Sequence, residues 1–577
     1  VETLGSTTII GSDKTGTLTK NEMTVKTIFD GAKTYDLTGS GYEPTGGIRH
    51  RETLVSLTEE SALRQVLRIG LLCNESNVYE DEDVYKVDGD PTEGALIVSA
   101  AKAGLGHEDE RVRYPQLAIL PFESELGYMA TLHEEVGKKV LFVKGAPERV
   151  IDMCGTGLDG ESLDVKKISA VAESFAKSGL RVLAMAYKEV PNDMTELTHH
   201  DISSGLIFAG FQAMMDPPRE EAALAIKRCN DYGIRVVMIT GDHSTTASAI
   251  GDMLGIESEA ANILTGKEIE SMSDDDLFNA LEEVAIFARV APHHKLRIVQ
   301  QLTRHGEVVA ITGDGVNDAP ALKAAHIGIA MGKGGTDVAK EASDMVLTDD
   351  NFASIFSAVE EGRVVYGNIR KVTLFLISSG FGELLAILAT ILMGLPLPYI
   401  PAQILWLNLV TNGLQDIALA FEPAEKSTLK APPTNPKEGI LSKLMVQRTL
   451  LMGAIMALGT LYIFITAIND GVSLDRARTA ALTTMVFFQF YQALNCRSET
   501  QSIFTMSPMS NPYLFYAMIA AFFAQMAVLY LPALQWVFRT VPLTMNEWLE
   551  IGVVTSTIVI IVEIDKWIRR KRLARRA

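Results

Sequence analysis

An aspartate near the start of the chain stands where a nucleophile for phosphoryl transfer would be expected. Residues 7–11 form a short β-branched run typical of a buried parallel strand, and the run DKTGTLT, residues 13–19, follows it. Ligands of open α/β sheets bind at the carboxyl ends of such strands. A carboxylate nucleophile also needs a phosphoryl donor, a cation and hydrogen-bond donors around the equatorial oxygens. Asp13 is the candidate nucleophile, and Gly16 lets the chain turn tightly behind it.

Two later apolar strands also end in glycine-aspartate turns. One leads into Thr240, Gly241 and Asp242, and the other into the run TGDGVNDAP at residues 312–320. Both turns would reach the same sheet edge as Asp13. Taken singly, a strand that ends in Gly-Asp-Gly is more often a structural turn than a site. Three such strand ends in this order favour a shared chemistry.

That chemistry is phosphoryl transfer assisted by a metal ion. Asp314 and Asp318 could hold Mg²⁺ together with Asp13, because Mg²⁺ prefers carboxylate oxygens and water. Lys295 could supply a positive charge for the phosphoryl group. The candidate catalytic residues are Asp13, Lys295, Asp318, Thr240, Gly241 and Asp242.

The composition excludes some classes of function. The net charge of −19 over 577 residues argues against a nucleic-acid-binding protein, which needs a basic face. The four cysteines are far apart and form no CxxC motif, so neither a disulfide framework nor a structural zinc site is expected. The chain opens without an initiator methionine, and we expect a fragment that lacks its N-terminal part.

The pattern of strands and helices divides the chain into domains. Residues 1–22 and 216–365 predict the two parts of one α/β domain, built on a parallel sheet of five or six strands. Residues 23–215 mix short alternating strands, helices and turn residues, which predicts a separate α/β domain inserted into the first. Residues 366–577 predict a transmembrane domain.

The transmembrane domain contains six apolar stretches, each close to the ~20 residues that a bilayer core demands. They are residues 372–394, 400–421, 446–468, 479–497, 512–532 and 549–568. Several contain polar residues, so buried helices of a soluble protein are the alternative. Basic residues such as Arg370 and Lys371 before the first stretch, and those at 566–572 after the last, favour spanning with the soluble domains and the C-terminus in the cytoplasm.

Polar residues inside these stretches are candidate ion ligands, because such residues are expensive within a bilayer. At 100° per residue, positions 408, 411, 412 and 415 share one helix face, with position 416 at its edge. Together with Glu383 in the first stretch, this face could form an oxygen-rich cage for a hard cation. The proposed ligands are Glu383, Asn408, Thr411, Asn412 and Asp416, and Gln489 could add an amide. Hydrogen bonding between helices is the alternative for this face.

Five motifs together resemble the signature set of the P-type ATPases. They are DKTGTLT at 13–19, KGAPE at 144–148, DPPR at 216–219, TGD at 240–242 and TGDGVNDAP at 312–320. The resemblance covers essentially the whole chain, and the motifs are highly specific. It is closest to the cation-transporting branch that contains calcium pumps of the sarcoplasmic-reticulum and secretory-pathway type and their bacterial or archaeal relatives.

The resemblance implies a fold and a reaction. The fold would be a haloacid-dehalogenase-like α/β phosphorylation domain with a parallel sheet, an inserted α/β nucleotide-binding domain, and an all-α bundle of about six transmembrane helices. The reaction would be ATP-driven cation transport through an aspartyl phosphate at Asp13, with Mg²⁺ and ATP as cofactors. Asp13, the Thr15 carbonyl and Asp314 would bind Mg²⁺. The nucleotide and its phosphates would contact Glu93, Phe122, Lys144, Arg181, Arg219, Arg289 and Asn317, with Phe122 stacked on the base.

Some positions depart from the family pattern. Gly127 stands where a lysine usually follows Phe122, which predicts weaker nucleotide binding because one cation near the phosphates is missing. In the membrane, Gly380 and Asn412 replace an asparagine and an aspartate of calcium pumps, and Gln489 stands where those pumps can have a glutamate. With fewer anionic ligands, we expect one ion rather than two, or a monovalent ion such as Na⁺.

The leading hypothesis is a calcium-pump-like P-type ATPase that spans a prokaryotic plasma membrane several times. Its partners would be ATP, the transported cation, the lipid bilayer and a missing N-terminal portion of the same pump, which would hold the actuator domain and the first four transmembrane helices. A pump for Na⁺ or another monovalent cation is the first alternative. A membrane-anchored phosphohydrolase of the same fold, a non-catalytic regulator and a lipid-translocating relative are the others.

Overall fold

The computed structural model describes residues 2–574, except residues 52, 56, 58–60, 82–83, 136, 257–261 and 426–439. The chain forms two compact units. One is Thr7–Phe356, and the other combines Val1–Ser6 with Ser357–Ala577. The candidate catalytic residues lie in the first unit and the candidate ion ligands in the second.

A seven-stranded parallel sheet forms the centre of the first unit. With strands numbered in chain order, its spatial order is β15 (Ile263–Thr265), β16 (Ile286–Ala288), β14 (Arg235–Ile239), β1 (Ile9–Asp13), β17 (Val309–Gly313), β18 (Ile327–Met331) and β19 (Met345–Leu347). The central strand is apolar because both of its faces are buried, and Ile9 and Ile10 are 1% and 0% exposed. β1 therefore lies between the two strands that lead into the glycine-aspartate turns.

The sheet has one strand more than the five or six that the sequence predicts. The additional strand is β15, at one edge of the sheet. It has three residues, of which the last is polar, whereas the other three-residue strands of this sheet, β16 and β19, are wholly apolar. The order of the inner strands does not depend on it.

A second, mostly antiparallel sheet forms the inserted domain. Its strands are β2 (Thr24–Phe29), β3 (Thr34–Leu37), β4 (Ile48–His50), β5 (Thr53–Leu54), β8 (Gln116–Glu123), β9 (Tyr128–Glu135), β10 (Lys138–Gly145), β11 (Cys154–Gly157), β12 (Arg181–Val190) and β13 (Leu206–Met215). Their order is β5-β4-β3-β2-β13-β12-β10-β9-β8, and β11 pairs in parallel with β13. A separate hairpin consists of β6 (Asn77–Asp81) and β7 (Val84–Asp88).

Helices pack against both sheets of the first unit. They are Ala62–Leu72, Pro91–Lys102, His107–Arg113, Pro147–Met153, Val165–Lys177, Glu220–Asp231, Ser244–Leu254, Gly266–Ser271, Asp274–Ala280, Pro292–Arg304, Ala319–Ala324 and Asp337–Ala342. The core under the parallel sheet joins strand residues such as Val237 and Ile311 to helix residues such as Ile298 and Leu302. The helix Pro292–Arg304 is thereby fixed against the sheet, and it carries Lys295.

Two connecting segments, residues 18–20 and 216–219, join the parallel sheet to the inserted domain. Thr19 forms an isolated antiparallel bridge with Pro218. The Thr19 hydroxyl also donates a hydrogen bond to Asp216 Oδ2 at 2.5 Å. The inserted domain therefore leaves and rejoins the parallel-sheet domain through one hydrogen-bonded pair of segments.

The second unit is helical. Its helices are Glu2–Gly5, Phe352–Leu392, Pro401–Trp406, Gly413–Leu419, Lys443–Asn469, Leu474–Cys496, Pro512–Tyr530, Pro532–Phe538 and Met545–Ala574, and a π-helical turn, Leu407–Asn412, links the third to the fourth. Helices occupy all six apolar stretches of the sequence. Among the described residues, three helices are long and apolar enough to cross a bilayer: Phe352–Leu392, Lys443–Asn469 and Pro512–Tyr530.

Glycines let two of the long helices approach closely. A Cβ atom on Gly453 would lie 2.6 Å from Cδ1 of Phe381, and one on Gly382 would lie 3.0 Å from Cβ of Met456. Small residues at helix crossings are typical of membrane bundles. This packing draws the neighbouring Glu383 into the bundle, where it is 5% exposed.

Gly210 gives a test of the inserted sheet. Its φ is +154°, and a Cβ atom there would lie 2.0 Å from the carbonyl oxygen of Phe29 on the neighbouring strand. We expect Gly210→Ala to lower stability by about 2 kcal/mol or more, because strain and overlap with a backbone atom add up. A loss of that size corresponds to a fall of about 3 °C in the thermal unfolding midpoint of this unit.

The control for this test is Gly155→Ala. Gly155 also lies in a strand of the inserted sheet, but a Cβ atom there would meet nothing within 4 Å. We expect it to change stability by no more than about 0.5 kcal/mol. Equal midpoints for the two variants would show that the close approach at Gly210 is wrong.

Candidate functional site

The carboxyl ends of β1 and β17 bring three aspartates together. Asp13 ends β1, and Asp314 and Asp318 follow β17, which pairs in parallel with β1. One carboxylate oxygen from each of the three lies within 4.8 Å of the others. The backbone N–H of Asp13 donates to the Thr312 hydroxyl at 2.9 Å, which fixes the end of β1 against β17. The sequence predicts this meeting correctly, because parallel neighbours end at one edge.

Lys295 reaches the three aspartates from the helix Pro292–Arg304. Its Nζ donates to Asp13 Oδ2 at 3.2 Å and to Asp318 Oδ1 at 2.9 Å, and its side chain is 5% exposed. Burial lowers the pKa of Lys295, but the charges of Asp13 and Asp318 outweigh burial, so that the pKa lies above its ordinary value. The ammonium group is therefore a fixed positive charge beside the nucleophile.

The loop after β17 is shaped by Asp318. Its Oδ2 accepts hydrogen bonds from the backbone N–H groups of Asp314 and Gly315, both at 3.1 Å. Gly313 permits this turn, since a Cβ atom there would lie 2.5 Å from the Cβ of Asp318. Asp318 is thus held by three donors, Lys295 included, and it positions Asp314.

The charges of this cluster do not balance. Burial, followed by the charges of Asp13 and Asp318, raises the pKa of Asp314. Three carboxylates face one ammonium group, which leaves a deficit of positive charge where oxygen ligands converge. The donor set therefore fits a hard divalent cation such as Mg²⁺.

The turn after β14 lies beside Asp13 through a pair that the sequence does not predict. Asp242 Oδ2 accepts a hydrogen bond from Lys14 Nζ at 2.6 Å. The backbone N–H of Asp242 donates to the Thr240 hydroxyl at 3.1 Å, while Gly241 between them is exposed. The register pairs Asp13 with Ile239, so that the residues after the two strands lie next to each other. The parallel pairing of these two strands is therefore the feature from which the contact between Lys14 and Asp242 could have been predicted.

Four further residues that the sequence assigns to the phosphates or to Mg²⁺ lie on loops of this domain. Thr15 is exposed in the turn after β1, and Asn317 is exposed in the turn before Asp318. Arg219 contacts the turn after β1 directly, since its Nη2 donates to the Gly16 carbonyl at 3.3 Å. Arg289 is exposed after β16, with a φ of +51°. The structure therefore ties Arg219 to the Asp13 turn, of which Thr15 is a part. Within the described part of the chain, the side chains of Asn317 and Arg289 form no hydrogen bond with that turn.

The inserted domain contains a second group of predicted residues. Lys144 Nζ donates to Glu93 Oε1 at 2.5 Å, and both side chains are largely buried. Arg181 Nη1 donates to the Thr92 hydroxyl at 3.2 Å, next to Glu93. Phe122, on β8, is 52% exposed, so its ring face is available to a planar ligand. The structure thus joins Glu93, Lys144 and Arg181 into one neighbourhood and leaves Phe122 open.

Gly127 has a backbone that opposes a lysine. Its φ is +76°, in the left-handed region. A Cβ atom there would lie 3.4 Å from Cγ of Arg149, so the cationic side chain of Arg149 already passes this position. Replacement by lysine would therefore carry backbone strain and some charge repulsion.

In the second unit, Glu383 is the centre of a hydrogen-bonded cluster. Asn408 Nδ2 donates to Glu383 Oε2 at 3.0 Å, and Gln489 Nε2 donates to Glu383 Oε1 at 3.0 Å. The Thr411 hydroxyl lies 2.7 Å from Gln489 Oε1 and 2.7 Å from the Leu407 carbonyl. A hydroxyl has one proton to donate, so Thr411 can donate to one of these two acceptors at a time.

Two of the predicted ion ligands lie outside this cluster. Asp416 Oδ1 accepts a hydrogen bond from the backbone N–H of Ile417 at 2.6 Å. Asn412 is 1% exposed, and within the described part of the chain its Oδ1 has no hydrogen-bond partner. The physical reason is the π-helical turn Leu407–Asn412, which breaks the 100° periodicity that places positions 408 to 416 on one face.

Four families of known proteins match successive parts of the chain. The family described as "P-type ATPase, cytoplasmic domain N" matches residues 62–221. "Haloacid dehalogenase-like hydrolase" families match residues 150–326 and 294–359. "Cation transporting ATPase, C-terminus" matches residues 396–568.

Similar full-length proteins are cation or calcium pumps by name. The chain is 42% identical to the "Probable cation-transporting ATPase F" of Mycobacterium tuberculosis over 99% of this chain and 64% of that protein. It is 41% identical to the "Calcium-transporting ATPase" of Bacillus subtilis over 95% of this chain and 62% of that protein. It is 38% identical to the "Calcium-transporting ATPase type 2C member 1" of Bos taurus over 99% of this chain and 59% of that protein.

The chain therefore spans a little under two thirds of the length of these relatives. The matched families follow one another in the order of the domains, and the aspartates with Lys295 form the cluster that the motifs predict. On these grounds the chain carries P-type ATPase family domains along most of its length, and it is similar over nearly all of that length to cation- and calcium-transporting ATPases.

Proposed function

We propose that this chain carries the catalytic and ion-binding parts of an ATP-driven cation pump that works through an aspartyl phosphate. The observation that carries the proposal is the cluster of Asp13, Asp314 and Asp318 with Lys295, all within hydrogen-bond or metal-ligand range. A carboxylate nucleophile next to a buried ammonium group, at the carboxyl edge of a parallel sheet, is suited to phosphoryl transfer.

The proposed step is attack by a carboxylate oxygen of Asp13 on the γ-phosphorus of ATP. The Asp13 O–P bond forms, the bond from phosphorus to the β-phosphate oxygen breaks, and ADP leaves with the electron pair. Lys295 neutralises charge on the nucleophile and on the transferred group. Asp318 positions the loop that carries Asp314. Mg²⁺, which Asp13, the Thr15 carbonyl and Asp314 would hold, would supply further neutralisation.

The nucleotide would bind to the inserted domain. We assign Phe122 to stacking on the base and Glu93, Lys144 and Arg181 to its surroundings. Arg219, Arg289 and Asn317 are assigned to the phosphates. Thr240, Gly241 and Asp242 form the turn that lies beside Asp13, since Asp242 pairs with Lys14, and we assign them a catalytic role. The open ring of Phe122 and the joined neighbourhood of Glu93 support these assignments.

The domain limits and the cellular setting belong to the proposal as well. We propose a phosphorylation domain at 1–22 and 216–365, a nucleotide-binding domain at 23–215, and a multi-pass transmembrane domain at 366–577. The protein would lie in a prokaryotic plasma membrane with its soluble domains and C-terminus in the cytoplasm. The names of the relatives and the three long apolar helices support this setting.

The transported ion would bind at Glu383. Asn408, Thr411 and Gln489 are grouped around it by hydrogen bonds, and Asn412 and Asp416 remain candidate ligands one turn away. Calcium is the ion that the names of several relatives suggest. A cage with one carboxylate at its centre also suits a monovalent ion such as Na⁺, which is the alternative.

The first test is labelling of Asp13. Incubation with Mg²⁺ and ATP that carries ³²P in its γ-phosphate should give an acid-stable, hydroxylamine-labile label. Asp13→Asn should lower the label at least ~10²-fold, because an amide is not a nucleophile at phosphorus. Asp231→Asn, an exposed aspartate of the same unit, is the matched control and should leave the label unchanged. Full labelling of Asp13→Asn would disprove the assignment.

The second test concerns the ion. In the complete gene product, we measure labelling while Ca²⁺, Na⁺, K⁺ and pH are varied in turn. One cation should control the label, and Glu383→Gln should raise the concentration of that cation needed for half-maximal effect by at least ~10-fold, since the central anionic ligand is removed. Glu550→Gln, on another helix of the same unit, is the control. A label in the unmodified protein that ignores every cation would favour a phosphohydrolase instead.

The third test concerns Gly127. Comparison of Gly127→Lys with Gly127→Ala separates the added charge from the backbone strain that both changes share. We expect the lysine variant to bind ATP roughly two- to tenfold more tightly than the alanine variant, a partly screened charge effect. Equal dissociation constants, measured by calorimetric titration, would mean that the position is remote from the phosphates.

A further inference from the structure

A cavity of about 570 Å³ lies beside the connecting segments, away from the Asp13 cluster. The connecting segments contribute Lys20, Pro217 and Pro218, and the inserted domain contributes Lys26 and the loop at Gly39 and Ser40. Apolar side chains form part of its wall: Leu180, Met215 and Met253. None of these residues has a part in the proposed reaction.

Three lysines converge on one short loop at this cavity. Lys20 Nζ donates to the Ser40 hydroxyl at 2.8 Å, and Lys26 Nζ donates to the Gly39 carbonyl at 3.2 Å. Behind the loop, Lys102 Nζ donates to the Thr38 carbonyl at 3.0 Å. Three consecutive loop residues thus hold three ammonium groups, each through a neutral acceptor.

No salt bridge among the described residues balances these charges. Among the described residues, no ion pair involves Lys20, Lys26 or Lys102, and the two acidic residues that line the cavity, Asp36 and Glu220, are both exposed. Burial, then the charge of Lys20, lowers the pKa of Lys26. Burial, then the charge of Lys26, lowers the pKa of Lys102 to about 8.

Glu22 brings one carboxylate to this loop, since a Cβ atom on Gly41 would lie 2.3 Å from Glu22 Oε2. Burial raises the pKa of Glu22, and the charges of Lys20 and Arg219 lower it in part. Like charges gathered in a partly buried place disfavour one another unless an anion joins them. Glu22 offsets part of the charge of the three lysines, and a phosphate could join the remaining ammonium groups.

We propose that this cavity binds a small phosphorylated molecule from solution, with its phosphate between Lys20 and Lys26. Lysine ammonium groups bind phosphate as point charges, and the Ser40 hydroxyl adds a polar group. The cavity has the size of ordinary small-molecule sites. The apolar wall suits a carbon-rich remainder of the ligand, and the two exposed carboxylates disfavour a bulky polyanion.

The position of the site indicates what a bound ligand would do to the structure. Its walls come from both connecting segments and from the inserted sheet. A bound molecule would therefore stabilise the present arrangement of the inserted domain relative to the parallel sheet. The inference does not depend on the proposed reaction.

The test is site-specific acylation of lysines in the intact chain, followed by mass spectrometry. Pyrophosphate and adenosine monophosphate are the probes, each compared with sodium chloride at matched ionic strength. We expect both probes to slow the acylation of Lys20, Lys26 and Lys102 several-fold. Lys188, which is also half-buried and also donates to backbone carbonyls, is the internal control and should not respond. Equal changes at all four lysines, or the same protection by chloride, would overturn the proposal.

A variant separates this cavity from the Asp13 cluster, which pyrophosphate could also occupy. In Lys26→Met, protection of Lys20 and Lys102 should be lost, while Lys188→Met should retain it. Protection that persists in a folded Lys26→Met protein would contradict the site. If Lys26→Met does not fold, as judged by its thermal transition, the labelling of the unmodified protein decides alone.

Discussion

Repulsion among carboxylates at one sheet edge is the constraint around which the parallel-sheet domain is organised. Two unit charges 4 Å apart near a protein surface repel by about 4 kcal/mol. Three carboxylates of the domain lie within reach of one another, and one ammonium group lies beside them. A bound cation would relieve the repulsion that this ammonium group does not offset. Backbone devices hold the arrangement in place, chiefly the N–H groups that bind Asp318 and the missing side chain at Gly313.

Chain connectivity makes this arrangement depend on distant parts of the sequence. β1 is the first strand of the chain, yet both of its neighbours, β14 and β17, follow the inserted domain. The chain leaves the parallel-sheet domain and re-enters it at one place, because Thr19 and Pro218 form a bridge between the two connecting segments. The inserted sheet can therefore be large without disturbing the site, and the connecting segments become the natural place at which a ligand could act on both domains.

The membrane cluster around Glu383 follows the opposite rule. It has one carboxylate, and both of its oxygens accept hydrogen bonds from neutral amides. Among the described residues no cation is paired with this carboxylate, which suits a bilayer, where each further ion is costly. The Thr411 hydroxyl has one proton for two nearby oxygen acceptors. The cluster therefore contains a carboxylate without a cationic partner, as a cation site should.

The sequence predicts the soluble site better than the membrane site, for a physical reason. Parallel strands are straight and end at one edge, so the motif at each strand end is enough to bring Asp13, Asp314 and Asp318 together. The edge strand β15 is missed because its apolar run is only two residues long, whereas β16 and β19 are wholly apolar. Partners such as Lys14 for Asp242 escape it because a side-chain contact between loops depends on loop geometry.

The face on which a helical residue lies is harder to predict, because it depends on an unbroken rotation of 100° per residue. A regular helix places positions 408, 411, 412 and 415 on one face with 416 at its edge, and the π-helical turn Leu407–Asn412 interrupts that periodicity. Asn408 and Thr411 still belong to the Glu383 cluster, whereas Asp416 accepts a hydrogen bond from the backbone N–H of Ile417. π-helical turns are often found at functional sites. The feature that defeats the periodicity argument is therefore itself an argument that this part of the helix is built for binding.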